Sequence, residues 1–333
     1  MRQQPPSIEL LAQGLAEGNK VALSRAITLV ESDRATDRIL ATQLVTKILQ
    51  HTGRSLRVGI SGVPGVGKST FIEALGKYLT AKNKKVAVLA VDPSSSKTKG
   101  SILGDKTRME ELSKDPLAFI RPTPSGAQLG GVAGNTRETI LLCEAAGFEV
   151  ILIETVGVGQ SETTVRGMVD FFLLLVLAGA GDELQGIKKG IIEMADALVI
   201  NKADGDNLPR VKQAKADLLH AIHLTESSVP GWNTPVLTCS ALTKHGIDEV
   251  WQMIETYRSQ TIQNGFFENN RAVQNKTWMN ESFEQMLRSA VEQMPALQQK
   301  KLELEQLVLN KTLSASEAAR LLFEEAKKQM RVQ

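Results

Sequence analysis

Residues 59–76 read GISGVPGVGKSTFIEALG, and this stretch decides the fold. It contains Gly62, four residues, then Gly67, Lys68 and Ser69, between an apolar run (LRVGIS, 56–61) and an amphipathic run carrying Phe71, Ile72, Ala74 and Leu75. Strand, glycine-rich turn and helix form the context that a phosphate-binding loop requires. Glycines let consecutive N–H groups converge on phosphate oxygens, and the helix that starts at Lys68 points its positive end at them. The segment Gly62, Val63, Pro64, Gly65, Val66, Gly67, Lys68, Ser69 and Thr70 is therefore the candidate phosphate cradle. Within it Lys68 reaches the β and γ phosphates and Ser69 ligates magnesium. A plain glycine turn is the competing reading, and the flanking strand and helix weigh against it.

Working outward, the chain alternates apolar strands (56–61, 86–91, 118–121, 149–154, 170–178, 196–201, 235–239) with helical stretches near 68–81, 106–114, 135–147, 207–223 and 246–261. That alternation predicts an α/β fold with a mostly parallel, doubly wound sheet. Residues 1–55 read as a helical extension, 56–261 as the nucleotide domain, and 262–333 as a charged helical arm, with a capping box from Ser314 to Glu317. The run FFLLLVLAGA (171–180) is too short to span a bilayer and suits a strand buried on both faces.

Composition narrows the partners. The 39 basic and 37 acidic residues leave a net charge of +2, which gives no pull toward nucleic acid or membrane. The opening MRQQPPSIEL lacks an apolar core, and Cys143 and Cys239 sit in apolar surroundings without a CxxC pair. Both features suit buried thiols in a reducing compartment, so the expected location is the cytoplasm.

The base is read from the last strands. ADALVIN leads into Asn201, Lys202, Ala203 and Asp204. A carboxylate at Asp204 accepts both guanine N1–H and the 2-amino group, a pair that adenine does not present. Asn201 is placed to meet the other edge of the base, and the Lys202 stem to pack on the ring. The next strand ends in TCSAL, where the backbone of Ser240, Ala241 and Leu242 can donate to the guanine carbonyl. Between these motifs, Asp92 and Glu154 end strands, and Asp105 lies in a glycine-bearing loop. With Ser69 they are the candidate magnesium ligands, direct or through water. Gly157 follows Glu154 by three residues, where regulatory GTPases sense the γ-phosphate, and Gln160 is the candidate for orienting water.

Taken together, ALSRAITLVES, GVPGVGKSTFIEALG, FIRPTPSGAQLGG, ETVGVGQSE, GAGDELQGIKKGIIEMAD and NKADGDN resemble the MeaB/ArgK family over about residues 14–261. These are GTPase chaperones of cobalamin-dependent acyl-CoA mutases such as methylmalonyl-CoA mutase, with the methylmalonic aciduria type A protein as a human relative. The resemblance implies a phosphate-loop NTPase of the SIMIBI type, within its metallochaperone GTPase group. It also implies GTP and Mg2+ as ligands, a homodimer paired through the C-terminal arm, and slow GTP hydrolysis accelerated by the mutase. Residues 179–190 match the family's switch III loop, which relays nucleotide state to the mutase, and Lys188 is its candidate relay cation. Two other functions compete: a metal-delivery GTPase, which should carry a His-rich or CxxC segment, and a phosphotransferase. The four histidines are scattered, with His220 and His223 three apart on a predicted helix.

Overall fold

The computed structural model describes residues 7–92, 109–124, 129–155, 161–179, 189–222 and 229–330. Seven strands form one parallel sheet: β1 (Leu56–Gly62), β2 (Val86–Asp92), β3 (Ala118–Pro124), β4 (Val150–Thr155), β5 (Phe171–Leu177), β6 (Ala197–Asn201) and β7 (Val236–Thr238). Their order across the sheet is β3-β2-β4-β1-β5-β6-β7. The strand that feeds the glycine-rich turn is therefore central, between β4 and β5.

The side-chain period of two explains why these strands read as continuous apolar runs. On one face Leu56, Val58, Ile60, Leu173 and Leu175 meet helices α4 (Lys68–Ala81) and, later in the chain, Ile247–Gln263, through Phe71, Leu75, Trp251 and Tyr257. On the other, Ile151, Ile153, Phe172 and Leu174 join Leu15, Leu23, Ile27 and Leu44. Those residues come from the N-terminal helices α1 (Ile8–Ala16), α2 (Lys20–Val30) and α3 (Ala35–Ile48). The N-terminal segment thus belongs to the same hydrophobic core as the sheet. The first two of its helices begin at side-chain caps: Ser7 accepts from Leu10 N–H, and Asn19 from Val21 and Ala22 N–H at 2.8 and 3.1 Å.

The remaining helices are α5 (Glu110–Ser113), α6 (Leu129–Ala145), α7 (Ser161–Arg166), α8 (Lys189–Met194), α9 (Leu208–Ile222), α10 (Ile247–Gln263), α11 (Phe266–Glu292), α12 (Pro295–Leu309) and α13 (Ala315–Met330). None among the described residues is long and apolar enough to cross a membrane.

The chain divides into two compact units between Gln274 and Asn275, inside α11 and later than the sequence pattern places the change. Arg271 accounts for the difference. It is 7% exposed, and its guanidinium grips both carboxylate oxygens of Asp170 at 2.7 Å, at the foot of β5. The same group donates to the carbonyls of Gly53 and Ser55, and it stacks 4.5 Å over the Phe267 ring. Residues 266–274 therefore close the floor of the first unit.

In the second unit, Leu297 and Leu304 of α12 are buried together with Ala318 and Ala326 of α13. Ser314 caps α13 by accepting from Glu317 N–H at 3.2 Å. The carboxylate of Glu317 does not return to Ser314 as the capping-box reading expects. It takes a two-point ion pair with Arg320 instead, at 2.6 and 2.9 Å.

Candidate functional site

The carboxyl ends of β1, β4, β6 and β7 bring the candidate residues together. At the end of β1 the chain turns through Gly62, Gly65 and Gly67. A Cβ on Gly62 would lie 2.5 Å from the Leu175 carbonyl, and one on Gly67 would lie 2.9 Å from Asn201 Nδ2 at a φ of +92°. Neither position tolerates a side chain. Val66 is fully buried beneath the turn, whereas Pro64, Gly65 and Thr70 are exposed.

Lys68 opens α4 and is itself buried. Its ammonium donates to the Gly62 carbonyl at 2.7 Å and the Val63 carbonyl at 3.4 Å. Burial pushes its pKa down, opposed by the negative charges of Glu154 and Glu162. Ser69, the next residue, donates to Glu154 Oε1 at 3.2 Å. The two meet because β4 lies beside β1 with Glu154 level with Ile60. A hydroxyl and a carboxylate at the start of a helix are hard oxygen donors of the kind magnesium takes, so this pair fits that ion. Asp92 is the last residue of β2, and its side chain lies outside the described residues, as do Asp105, Gly157, Gln160 and Lys188.

The base-reading segment is bonded directly to the phosphate loop. Asn201 is buried, and its amide is committed at both ends: Nδ2 donates to the Val66 carbonyl at 2.8 Å, and Oδ1 accepts from Ala241 N–H at 3.1 Å. Asn201 is therefore a brace between the two halves of the site, and because its NH2 group carries two N–H donors the bond to Val66 is compatible with the expected place against the base. Lys202, left-handed at φ +59°, reaches back so that Nζ donates to the Gly65 carbonyl at 2.8 Å. Asn207 holds that turn by donating to the Lys202 carbonyl at 2.8 Å. The Ser240 hydroxyl donates to Asp204 and accepts from Thr243 N–H, which fixes the direction of the Asp204 carboxylate.

Of the three backbone donors expected for the guanine carbonyl, two are taken by the protein. Ser240 N–H goes to the His245 carbonyl at 2.9 Å and Ala241 N–H to Asn201. Leu242, the third of them, has an exposed side chain. Cys239 lies beneath this turn, where burial pushes its thiol up to about 12. His220 sits on α9, and His223 lies outside the described residues.

Sequence patterns alone missed Glu162. It is 1% exposed on α7 and is one of two carboxylates acting on Lys68. Its only signal was its place at the end of ETVGVGQSE, eight residues past Glu154.

A glycine-rich turn under a helix, braced to an Asn-Lys-Ala-Asp segment on a parallel sheet, defines a phosphate-loop GTPase. Residues 23–296 match the family described as Methylmalonyl Co-A mutase-associated GTPase MeaB. A putative GTPase of Caulobacter vibrioides is 52% identical over 312 residues, covering 94% of this chain and 95% of its own. The GTPase ArgK of Escherichia coli is 49% identical over 271 residues, 81% of this chain and 82% of its own. Among solved structures, the crystal structure of a LAO/AO transport system kinase aligns with a TM-score of 0.77 at 39% identity, covering 96% of this chain and 97% of that one. This chain belongs to the MeaB/ArgK family of GTPases.

Proposed function

We propose that this GTPase gates adenosylcobalamin loading, exchange or protection on a cobalamin-dependent acyl-CoA mutase such as methylmalonyl-CoA mutase. The observation that carries the mutase assignment is the family match, which runs from residue 23 to residue 296, through α11 and to the start of α12. In this reading Lys68 meets the β and γ phosphates, and Asp204 and the Leu242 N–H read the guanine. Ser69, Glu154, Asp92 and Asp105 would hold Mg2+, whose charge would offset that of the phosphates. Gly157 and Gln160 are assigned to the γ-phosphate and the attacking water, and Lys188 to relaying nucleotide state to the partner. Because Asn201 and Lys202 are bonded to the phosphate loop, a shift at the phosphates is felt at the base segment without passing through solvent. The test is GTP turnover with and without saturating methylmalonyl-CoA mutase. Acceleration by the mutase is expected, and a rate unchanged by any cobalamin-dependent acyl-CoA mutase overturns the assignment.

The second unit is proposed to pair two copies of the chain. Met279, Phe283, Met286 and Leu287 are exposed and recur at three- and four-residue intervals, which places them along one face of α11. A chain ending at Gln274 is expected to sediment as a monomer and to unfold at nearly the full-length denaturant midpoint for that unit. A chain ending at residue 261 loses Arg271 and the floor it closes, uncovers Asp170, and is expected to unfold at a clearly lower denaturant midpoint. Urea unfolding of both truncations, with sedimentation of the first, checks this. A persistent dimer after the first cut places the interface in the nucleotide unit.

A further inference from the structure

Glu162 brings a charge into the core, and none of the roles given above uses it. Helix α7 packs on β1 and β4. It comes close because β1 has a glycine there: a Cβ on Gly59 would lie 3.0 Å from Val165 Cγ1 and 3.0 Å from the Phe172 ring. Residues three apart share one face of a helix. Glu162 and Val165, 1% and 0% exposed, are thus both turned toward β1.

The direction of the helix follows from its far end. Arg166 makes a two-point ion pair with Asp196, at 3.0 and 3.1 Å, and Asp196 immediately precedes β6. That residue lies at the amino edge of the sheet, so α7 runs opposite to the strands. Its other end, with Glu162, lies toward the carboxyl edge, where β1 enters the phosphate loop and Lys68 is held against the Gly62 carbonyl. Glu154 faces Lys68 and Ser69 from β4.

We propose that Glu162 is a positioning residue for GTP hydrolysis. From α7 its charge acts on the Lys68 ammonium together with that of Glu154, so that the lysine meets the γ-phosphate in one defined place. This rests on the GTP reading of the site and is independent of the mutase. The burial-driven fall in the Lys68 pKa, and its opposition by Glu162, agree with that arrangement.

A carboxylate in this role competes with the triphosphate for the same cation, so it affects affinity and rate in opposite directions. Glu162→Gln keeps the shape and removes the charge. The expected result is GTP affinity raised roughly fivefold to tenfold, GDP affinity raised by less because only the β-phosphate meets Lys68, and turnover lowered by about tenfold or more. Glu162→Asp keeps the charge on a shorter stem, and it is expected to restore the weaker GTP affinity and recover part of the rate. The measurements are GTP and GDP dissociation constants and single-turnover hydrolysis by the full-length chain, with thermal unfolding of each variant. Unchanged turnover and an unchanged GTP-to-GDP affinity ratio in Glu162→Gln overturn the proposal. So does a parallel loss of both affinities with earlier unfolding in both variants, which would make Glu162 a structural charge only. Absence of GTP binding by the unaltered chain overturns the nucleotide reading itself and this proposal with it.

Discussion

Lys68→Ala is expected to lower GTP turnover by about 10²- to 10³-fold or more, the scale of losing a charged group aimed at a transition state. The chain should remain folded. In the structure the ammonium is buried against the Gly62 and Val63 carbonyls, and burial pushes its pKa down, so removing it also removes a desolvated charge. Alanine is a better helix former than lysine, and position 68 is the first residue of α4. The melting temperature without nucleotide should therefore stay near that of the unaltered protein or rise slightly. Stabilisation by added GTP should shrink, because it scales with the affinity for the folded state. Single-turnover hydrolysis and thermal melts with and without GTP separate these two effects. Hydrolysis at the unaltered rate would place the reaction outside the phosphate loop.

Much of this architecture was legible because the strands of a parallel sheet are buried on both faces. The reading of 170–178 as a strand differs from the observed Phe171–Leu177 by one residue at each end. Asp170 stands just before the strand, where its N–H donates to the Arg57 carbonyl and its carboxylate accepts from the Arg57 N–H and from Arg271. Helix α6 was less readable. Its first residues, LGGVAGN, are glycine-rich and disfavour helix by propensity, yet the helix starts at Leu129, ahead of the expected residue 135. It closes where Gly147 adopts φ +80° and donates to the Glu144 carbonyl. Propensity is a local term, and here the packing of Ile140, Leu142 and Cys143 into the core outweighs it.

At the site, residue types were legible, but the partners of each atom were not. The motif names Asn201, while only the folded chain shows that its amide also ties Val66 to Ala241. Glu162 and Arg271 depend on contacts between distant segments, the latter pairing with Asp170 across 101 positions. No window on the sequence contains both members of that pair.

The second large effect is expected at Asp204, the residue proposed to choose the base. The Ser240 hydroxyl donates to its carboxylate, and that hydroxyl is fixed in turn by the Thr243 N–H at 3.1 Å. The carboxylate is aimed before any ligand arrives, so guanine meets an acceptor pair that costs little to organise. Two hydrogen bonds to a charged acceptor, each worth about 1.5–3 kcal/mol, set the scale of discrimination at roughly 10²- to 10⁴-fold. Asp204→Ala is expected to lose most of that preference, with GTP affinity falling toward that for ATP. Asp204→Asn should do more than weaken GTP. An amide presents one acceptor and one donor, which suits a base carrying N1–H beside a 2-oxo group. The asparagine variant is therefore expected to prefer xanthosine triphosphate over GTP, while Ser240 continues to donate to the amide oxygen. Competition of the three triphosphates against a fluorescent guanine nucleotide measures both variants and the unaltered chain. If Asp204→Ala discriminates GTP from ATP as sharply as the unaltered protein, guanine is read elsewhere, and the bond between Ser240 and Asp204 serves only to hold the turn.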